Sequence, residues 1–206
     1  DAEPVLEVLD RLGWKLTHVL TTHHHNDHVG GVPELMEKTG CTVVGARVDR
    51  DRIPGIAVEV GDGDTYKFGE AEAQVYEVPG HTLGHIAYWF AESKALFCGD
   101  TLFALGCGRV FEGTHEQMWT SLSKFDDIPD DTFIFCAHEY TQANAQFAVS
   151  VDPDNADLQA YVQGVDEKRA ADQPTVPSLM GDERKSNPFL RAKSPDLMQA
   201  IGMAGA

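Results

Sequence analysis

Thr22-His23-His24-His25-Asn26-Asp27-His28-Val29-Gly30-Gly31 places four histidines and an aspartate within six consecutive positions. Imidazole nitrogens and carboxylate oxygens both suit Zn²⁺ and similar first-row ions, so His23, His25, Asp27 and His28 are competent metal ligands. An apolar, β-branched run at 15–21 precedes the stretch and reads as a strand. Residues 32–38 follow it and read as a helix with Pro33 in the first turn. Strand, ligand-bearing loop, helix is the passage where open α/β folds place their sites.

Two later places repeat this design: a strand reading at 71–78 runs into Pro79-Gly80-His81, and one at 95–98 runs into Gly99-Asp100. His138 directly follows a further strand reading at 131–137. Strand ends gathered on one sheet edge would unite His23, His25, His28, His81 and His138 with Asp27 and Asp100. These five imidazoles and two carboxylates suffice for two cations, with Asp100 able to bridge them. A cation pair acidifies water, polarises a carbonyl and steadies an oxyanion. A closed structural zinc site typically uses four Cys or His ligands, which this donor set does not match.

The remaining pattern is coarse. Residues 3–12 have helical spacing, 42–45 and 56–60 read as short strands, and 66–68 and 86–90 as further strands. Thr114 with Gln117 three residues on forms a capping-box signature for a helix at 114–125. After residue 138 no strand signal remains: helices are expected at 141–149, 155–171 and 194–203, with a loop at 172–193. The division expected is a mixed α/β metal domain over 1–140 and a helical, substrate-binding domain over 141–206. His24 and Asn26 read as spacers, His85 as a residue orienting a neighbour, and His18 and His115 as ordinary structural positions.

The T-H-x-H-x-D-H pattern at 22–28, G-H-T-x-G-H at 80–85, Gly99-Asp100-Thr101 and the late His138 resemble the metallo-β-lactamase superfamily. More narrowly, Gly106-Cys107-Gly108-Arg109, the 136–141 segment Cys-Ala-His-Glu-Tyr-Thr, and Asn187-Pro188-Phe189-Leu190-Arg191 resemble the glyoxalase II (hydroxyacylglutathione hydrolase) family. The resemblance implies an α/β fold, the αββα sandwich, with a C-terminal helical domain. The family's N-terminal strands are absent from this sequence, which leaves a sheet edge open. It implies one metal on His23, His25 and His81, a second on Asp27, His28 and His138, and Asp100 between them, with Asp27 and Asp100 as the catalytic carboxylates. The two divalent ions are expected to be Zn, with Fe or Mn as alternatives. The implied reaction is hydrolysis of S-D-lactoylglutathione to D-lactate and glutathione by a hydroxide held between the metals. The alternative on the same scaffold is a mononuclear-iron sulfur (persulfide) dioxygenase.

The chain carries a net charge of −17 over 206 residues, which argues against a nucleic-acid partner. Against that background, 184–193 holds four basic residues and no acidic one. Arg191 and Lys193 are therefore expected to face the anionic glutathione moiety, and the resemblance implies Arg109, in the Gly-Cys-Gly loop, and Tyr140 as further substrate contacts. Phe111 stands where the family has a second substrate tyrosine. Four cysteines without C-x-x-C spacing, no apolar run of membrane-spanning length and no leader at the start fit a cytoplasmic protein with no membrane partner. The resemblance implies a small-molecule substrate, and a monomer is expected.

Overall fold

The computed structural model describes residues 1–205. The first part of the chain runs α1 (Glu3–Leu12), β1 (His18–Leu20), α2 (Asn26–Val29), α3 (Val32–Thr39), β2 (Thr42–Ala46), a 3₁₀ turn (Arg47–Asp49) and β3 (Ile56–Val60). There follow β4 (Thr65–Phe68), β5 (Ala71–Glu77), β6 (Ile86–Phe90), β7 (Ala95–Gly99), β8 (Leu102–Phe103), β9 (Gly106–Cys107), α4 (His115–Ser123) and β10 (Phe133–Cys136). The last part holds α5 (Thr141–Val151), α6 (Ala156–Ala170), β11 (Ser178–Leu179), α7 (Met180–Ser186) and α8 (Pro195–Ala200).

Strands β1, β2 and β3 form a parallel three-stranded sheet. A six-stranded sheet has the order β11-β10-β7-β6-β5-β4. The inner faces meet over one core: Val44, Ala46 and Val60 from the first sheet pack with Val75, Tyr88 and Phe90 from the second. Outside the first sheet lies α3, with Val32 packed near Val43. Outside the second lies α4, with Met118 and Leu122 in one cluster with Leu96 and Ile134. The result is the expected αββα sandwich. Thr42–Ala46 is buried at every position but the first because a parallel strand here is covered on both faces. Among the described residues, β1 pairs with β2 alone, so its other edge is open.

Thr114 caps α4 as its sequence predicts: its side chain accepts from the N–H of Gln117, whose side chain answers to the N–H of Thr114. Other expectations need correction. Asp27 and His28 lie on the helical turn α2 rather than in a loop. Ser178–Leu179 is a strand, pairing antiparallel with β10, although no strand signal was expected after residue 138. The expected loop at 172–193 also contains α7. Both elements are short and exist through long-range partners, which local pattern does not carry. No helix is long and apolar enough to cross a membrane among the described residues.

Candidate metal centre

Topology gathers the donors. β5 and β7 both run antiparallel to β6, and β7 runs parallel to β10. The C-terminal ends of β5, β7 and β10 therefore share one edge of the sheet, and they deliver His81, Asp100 and His138 there. β1 delivers the His23–His28 stretch to the same place from the facing sheet. Gly99 makes the last step of β7 with φ of 50°, and a Cβ on it would meet the Thr22 Oγ1 at 2.5 Å. Only glycine joins left-handed backbone to that close an approach.

The donor atoms converge in three overlapping groups, each with ligand atoms within 4.8 Å of one another: His23, His25 and His81; Asp27, His28 and His138; and His23, His28 and Asp100, which spans the first two. In the first, His25 Nδ1 stands 3.1 Å from His23 Nε2 and 3.0 Å from His81 Nε2. In the second, Asp27 Oδ2 stands 3.4 Å from His28 Nε2 and 3.3 Å from His138 Nε2. Asp100 joins them: its Oδ2 lies 3.5 Å from His81 Nε2 and 3.4 Å from His138 Nε2. Its Oδ1 lies 3.2 Å from His28 Nε2, yet both of these buried atoms lack a hydrogen-bond partner.

Buried polar atoms without partners are costly, and a cation between them would satisfy both. Protonation states fit the same occupant. Burial, reinforced by the surrounding imidazoles, pushes the His23 pKa far down, and burial lowers that of His25 too. Their nitrogens thus keep free lone pairs at neutral pH. Burial raises the Asp100 pKa, but His28, His138 and His81 outweigh it and hold the carboxyl below its ordinary value. The donor set therefore fits divalent ions, as the sequence expects of all seven residues.

Second partners fix these rings. His81 Nδ1 is 2.8 Å from the carbonyl oxygen of Arg109, which directs Nε2 toward the centre. His85 is fully buried and accepts the backbone N–H of Asp100 through Nε2 at 3.0 Å. Burial, aided by the charge of His81, pushes its pKa down to about 3, so it stays a neutral acceptor.

A cavity of about 520 Å³ opens onto the centre. His25, Asp27, His81, Asp100 and His138 form its floor, and Arg109, Phe111, Tyr140 and Asn144 are among its walls. Tyr140 stacks on His138 with ring centroids 4.8 Å apart and an interplanar angle of 11°. Phe111 stands edge-on to His81 at 5.1 Å. Cys107 also lines the cavity, but burial pushes its thiol up to about 12, so it is no nucleophile at neutral pH.

The basic segment is placed differently from the sequence expectation. Arg184 donates to the carbonyls of Phe125, Asp126 and Ile128 and pairs with Asp130, which fastens the end of the α4 region. Arg191 pairs with the buried Asp152. Lys193 lies over the Trp119 ring at 5.1 Å. Neither Arg191 nor Lys193 lines the cavity, whereas Arg109 and Tyr140 do. Asn144 is a wall residue that the sequence reading missed. Its amide donates to the Ala104 carbonyl at 3.0 Å, a contact 40 residues away that leaves no local signal.

Comparison with known proteins agrees with this architecture. Residues 1–138 match the family model described as the metallo-beta-lactamase superfamily, and residues 139–206 match that of the hydroxyacylglutathione hydrolase C-terminus. A hydroxyacylglutathione hydrolase of Rhodospirillum rubrum is 58% identical over 205 residues, spanning 100% of this chain and 80% of that protein. One of Methylococcus capsulatus is 57% identical, spanning 99% of this chain and 80% of that protein. Among solved structures, ETHE1 from Myxococcus xanthus is 26% identical with a TM-score of 0.69, covering 98% of this chain and 72% of that one. The B3 metallo-beta-lactamase BLEG-1 matches with a TM-score of 0.69 at 21% identity, over 92% of this chain and 84% of its own, a likeness of fold alone.

Proposed function

Since the chain belongs to the hydroxyacylglutathione hydrolase family of the metallo-β-lactamase fold, we propose that it hydrolyses S-D-lactoylglutathione to D-lactate and glutathione at a site built for two divalent cations. The enzyme is a thioester hydrolase: water adds to the carbonyl, the carbon–sulfur bond breaks, and the sulfur leaves as the glutathione thiol. The observation that carries the two-cation reading is Asp100, whose single Oδ2 faces His81 of one donor group and His138 of the other.

His23, His25 and His81 would hold one cation, Asp27, His28 and His138 the other, with Asp100 shared. Bound there, such ions supply Lewis acidity toward the thioester carbonyl and acidify water at neutral pH. Zn is the ion proposed, with Fe or Mn also suited to these mixed N/O donors. The chain's own residues do the positioning. Tyr140 offers a hydroxyl beside His138, Arg109 offers a cation for an anionic moiety, and Phe111 and Phe103 line the cavity as an apolar wall that limits water. The proposal places the enzyme in the cytoplasm as a monomer, and its four free cysteines fit a reducing compartment.

Purified protein supplied with S-D-lactoylglutathione tests this directly. Loss of thioester absorbance, one thiol released per turnover, abolition by a chelator and two cations per chain are expected. Turnover of a persulfide with one iron per chain and no thioester cleavage would establish the dioxygenase alternative instead.

A further inference from the structure

His24 belongs to none of these donor groups, and its contacts join the two loops that supply the three-histidine group. Its Nδ1 stands 3.1 Å from Oδ2 of Asp49, a side chain that ends the 3₁₀ turn after β2 and is only 2% exposed. The Asp49 carboxylate presses on the loop that carries His81: a Cβ at Gly84 would come within 2.2 Å of Asp49 Cγ. Arg52 has Nε 3.5 Å from Asp49 Oδ1 and donates through Nη2 to Glu112 Oε1 at 2.6 Å. Its guanidinium also lies against the His24 ring. The second Glu112 oxygen accepts the backbone N–H of Leu83 at 2.8 Å, and the Glu112 N–H donates back to the His81 carbonyl at 3.4 Å.

We propose that His24, Asp49, Arg52 and Glu112 form a strap that positions His81 against His23 and His25, and so sets cation affinity at the three-histidine group selectively. The proposal rests on the two-cation reading above. Its physical basis is tolerance: Zn–N distances hold to within about 0.2 Å, while the three ligands come from two loops distant in sequence. Something must fix one loop on the other, and the strap crosses that gap. Among the described residues, no hydrogen bond or ion pair joins the strap to Asp27, His28 or His138. Those ligands are set by α2 and by the end of β10 instead. The four strap members are positioning residues, since they act through the ligand loops rather than on substrate.

Zn²⁺ competition against a chelator tests this in two backgrounds. His138→Ala leaves the three-histidine group intact, and His81→Ala leaves the other. Arg52→Ala should weaken Zn²⁺ roughly 10- to 100-fold in the first background, the usual effect of removing a residue that orients a ligand. In the second it should change affinity by less than about twofold. Glu112→Gln, which keeps an acceptor for Leu83 but loses the Arg52 pairing, should fall between. Each variant's thermal melt is taken without cation, so that stability lost by leaving the buried Asp49 without Arg52, which is common to both backgrounds, is read separately from cation affinity. Equal weakening in both backgrounds, or none in the first, overturns the strap. A wild-type count of one Zn²⁺ per chain would defeat the two-cation reading alone. The strap would still be judged on whether Arg52→Ala weakens the Zn²⁺ that His81→Ala removes.

Discussion

The backbone N–H of Asp100 points at Nε2 of His85, 3.0 Å away, in a place with no access to water. The one carboxylate shared by both donor groups is thus oriented by a neutral imidazole that binds no cation itself. His85→Ala removes that acceptor and leaves a cavity. An unsatisfied buried N–H costs about 1–3 kcal/mol, and the cavity adds to it. His85→Ala should lower unfolding free energy by at least that amount and reduce turnover, while His85→Gln, which offers an acceptor, should recover part of both. Urea denaturation read beside the thioester assay checks it. An alanine variant as stable as the wild type would contradict the role.

Tyr140 separates two contributions, because its ring stacks on His138 while its hydroxyl is free to meet substrate. Tyr140→Phe keeps the stack. Losing one neutral hydrogen bond, worth about 0.5–1.5 kcal/mol, should raise KM roughly 2- to 13-fold with kcat little changed. Tyr140→Ala also removes the ring from His138 and should lower kcat. Steady-state kinetics of both variants on S-D-lactoylglutathione decides. Equal kinetics for Phe and wild type would remove the hydroxyl from substrate binding.

Arg191 pairs with Asp152, and both side chains are shielded, at 15% and 6% exposure. Breaking a buried pair strands the remaining charge at a cost of about 3–5 kcal/mol. Arg191→Ala should therefore be read in the melting curve and not in KM, and adding Asp152→Ala should restore much of the loss. A large rise in KM with unchanged stability would return Arg191 to the substrate site.

Glu183 provides a pH-dependent prediction. It is fully buried, and burial raises its pKa above the ordinary 4.5 even though Leu105 N–H, Asn187 Nδ2 and Tyr161 O–H all donate to it. A carboxyl with a raised folded pKa contributes stability that is complete below the unfolded value and is lost as pH rises through the folded one. Glu183→Gln carries no such loss. Its stability relative to wild type should therefore increase from about pH 4 to about pH 7 in urea denaturation. A flat difference, or one of opposite slope, would contradict the raised pKa.

The sequence by itself determined the donor chemistry. Divalent cations accept few side chains, so His and Asp placed after apolar strands and beside glycines remain visible without coordinates. The helix of α4 was legible for a similar reason: Thr114 and Gln117 satisfy their own helix end within three residues. Tertiary structure decided what depends on distant partners. The two-residue strand β11 exists because β10 pairs with it. The charges of Arg184 and Arg191 were readable, but their partners, 54 and 39 residues away, turned them from a supposed anion patch into internal fastenings. His24 was legible only as a spacer, because Asp49 and Arg52 reach it from the segment that follows β2, 25 and 28 residues on. Local composition fixes which groups can bind a metal, whereas long-range packing fixes where each loop, and each remaining charge, is held.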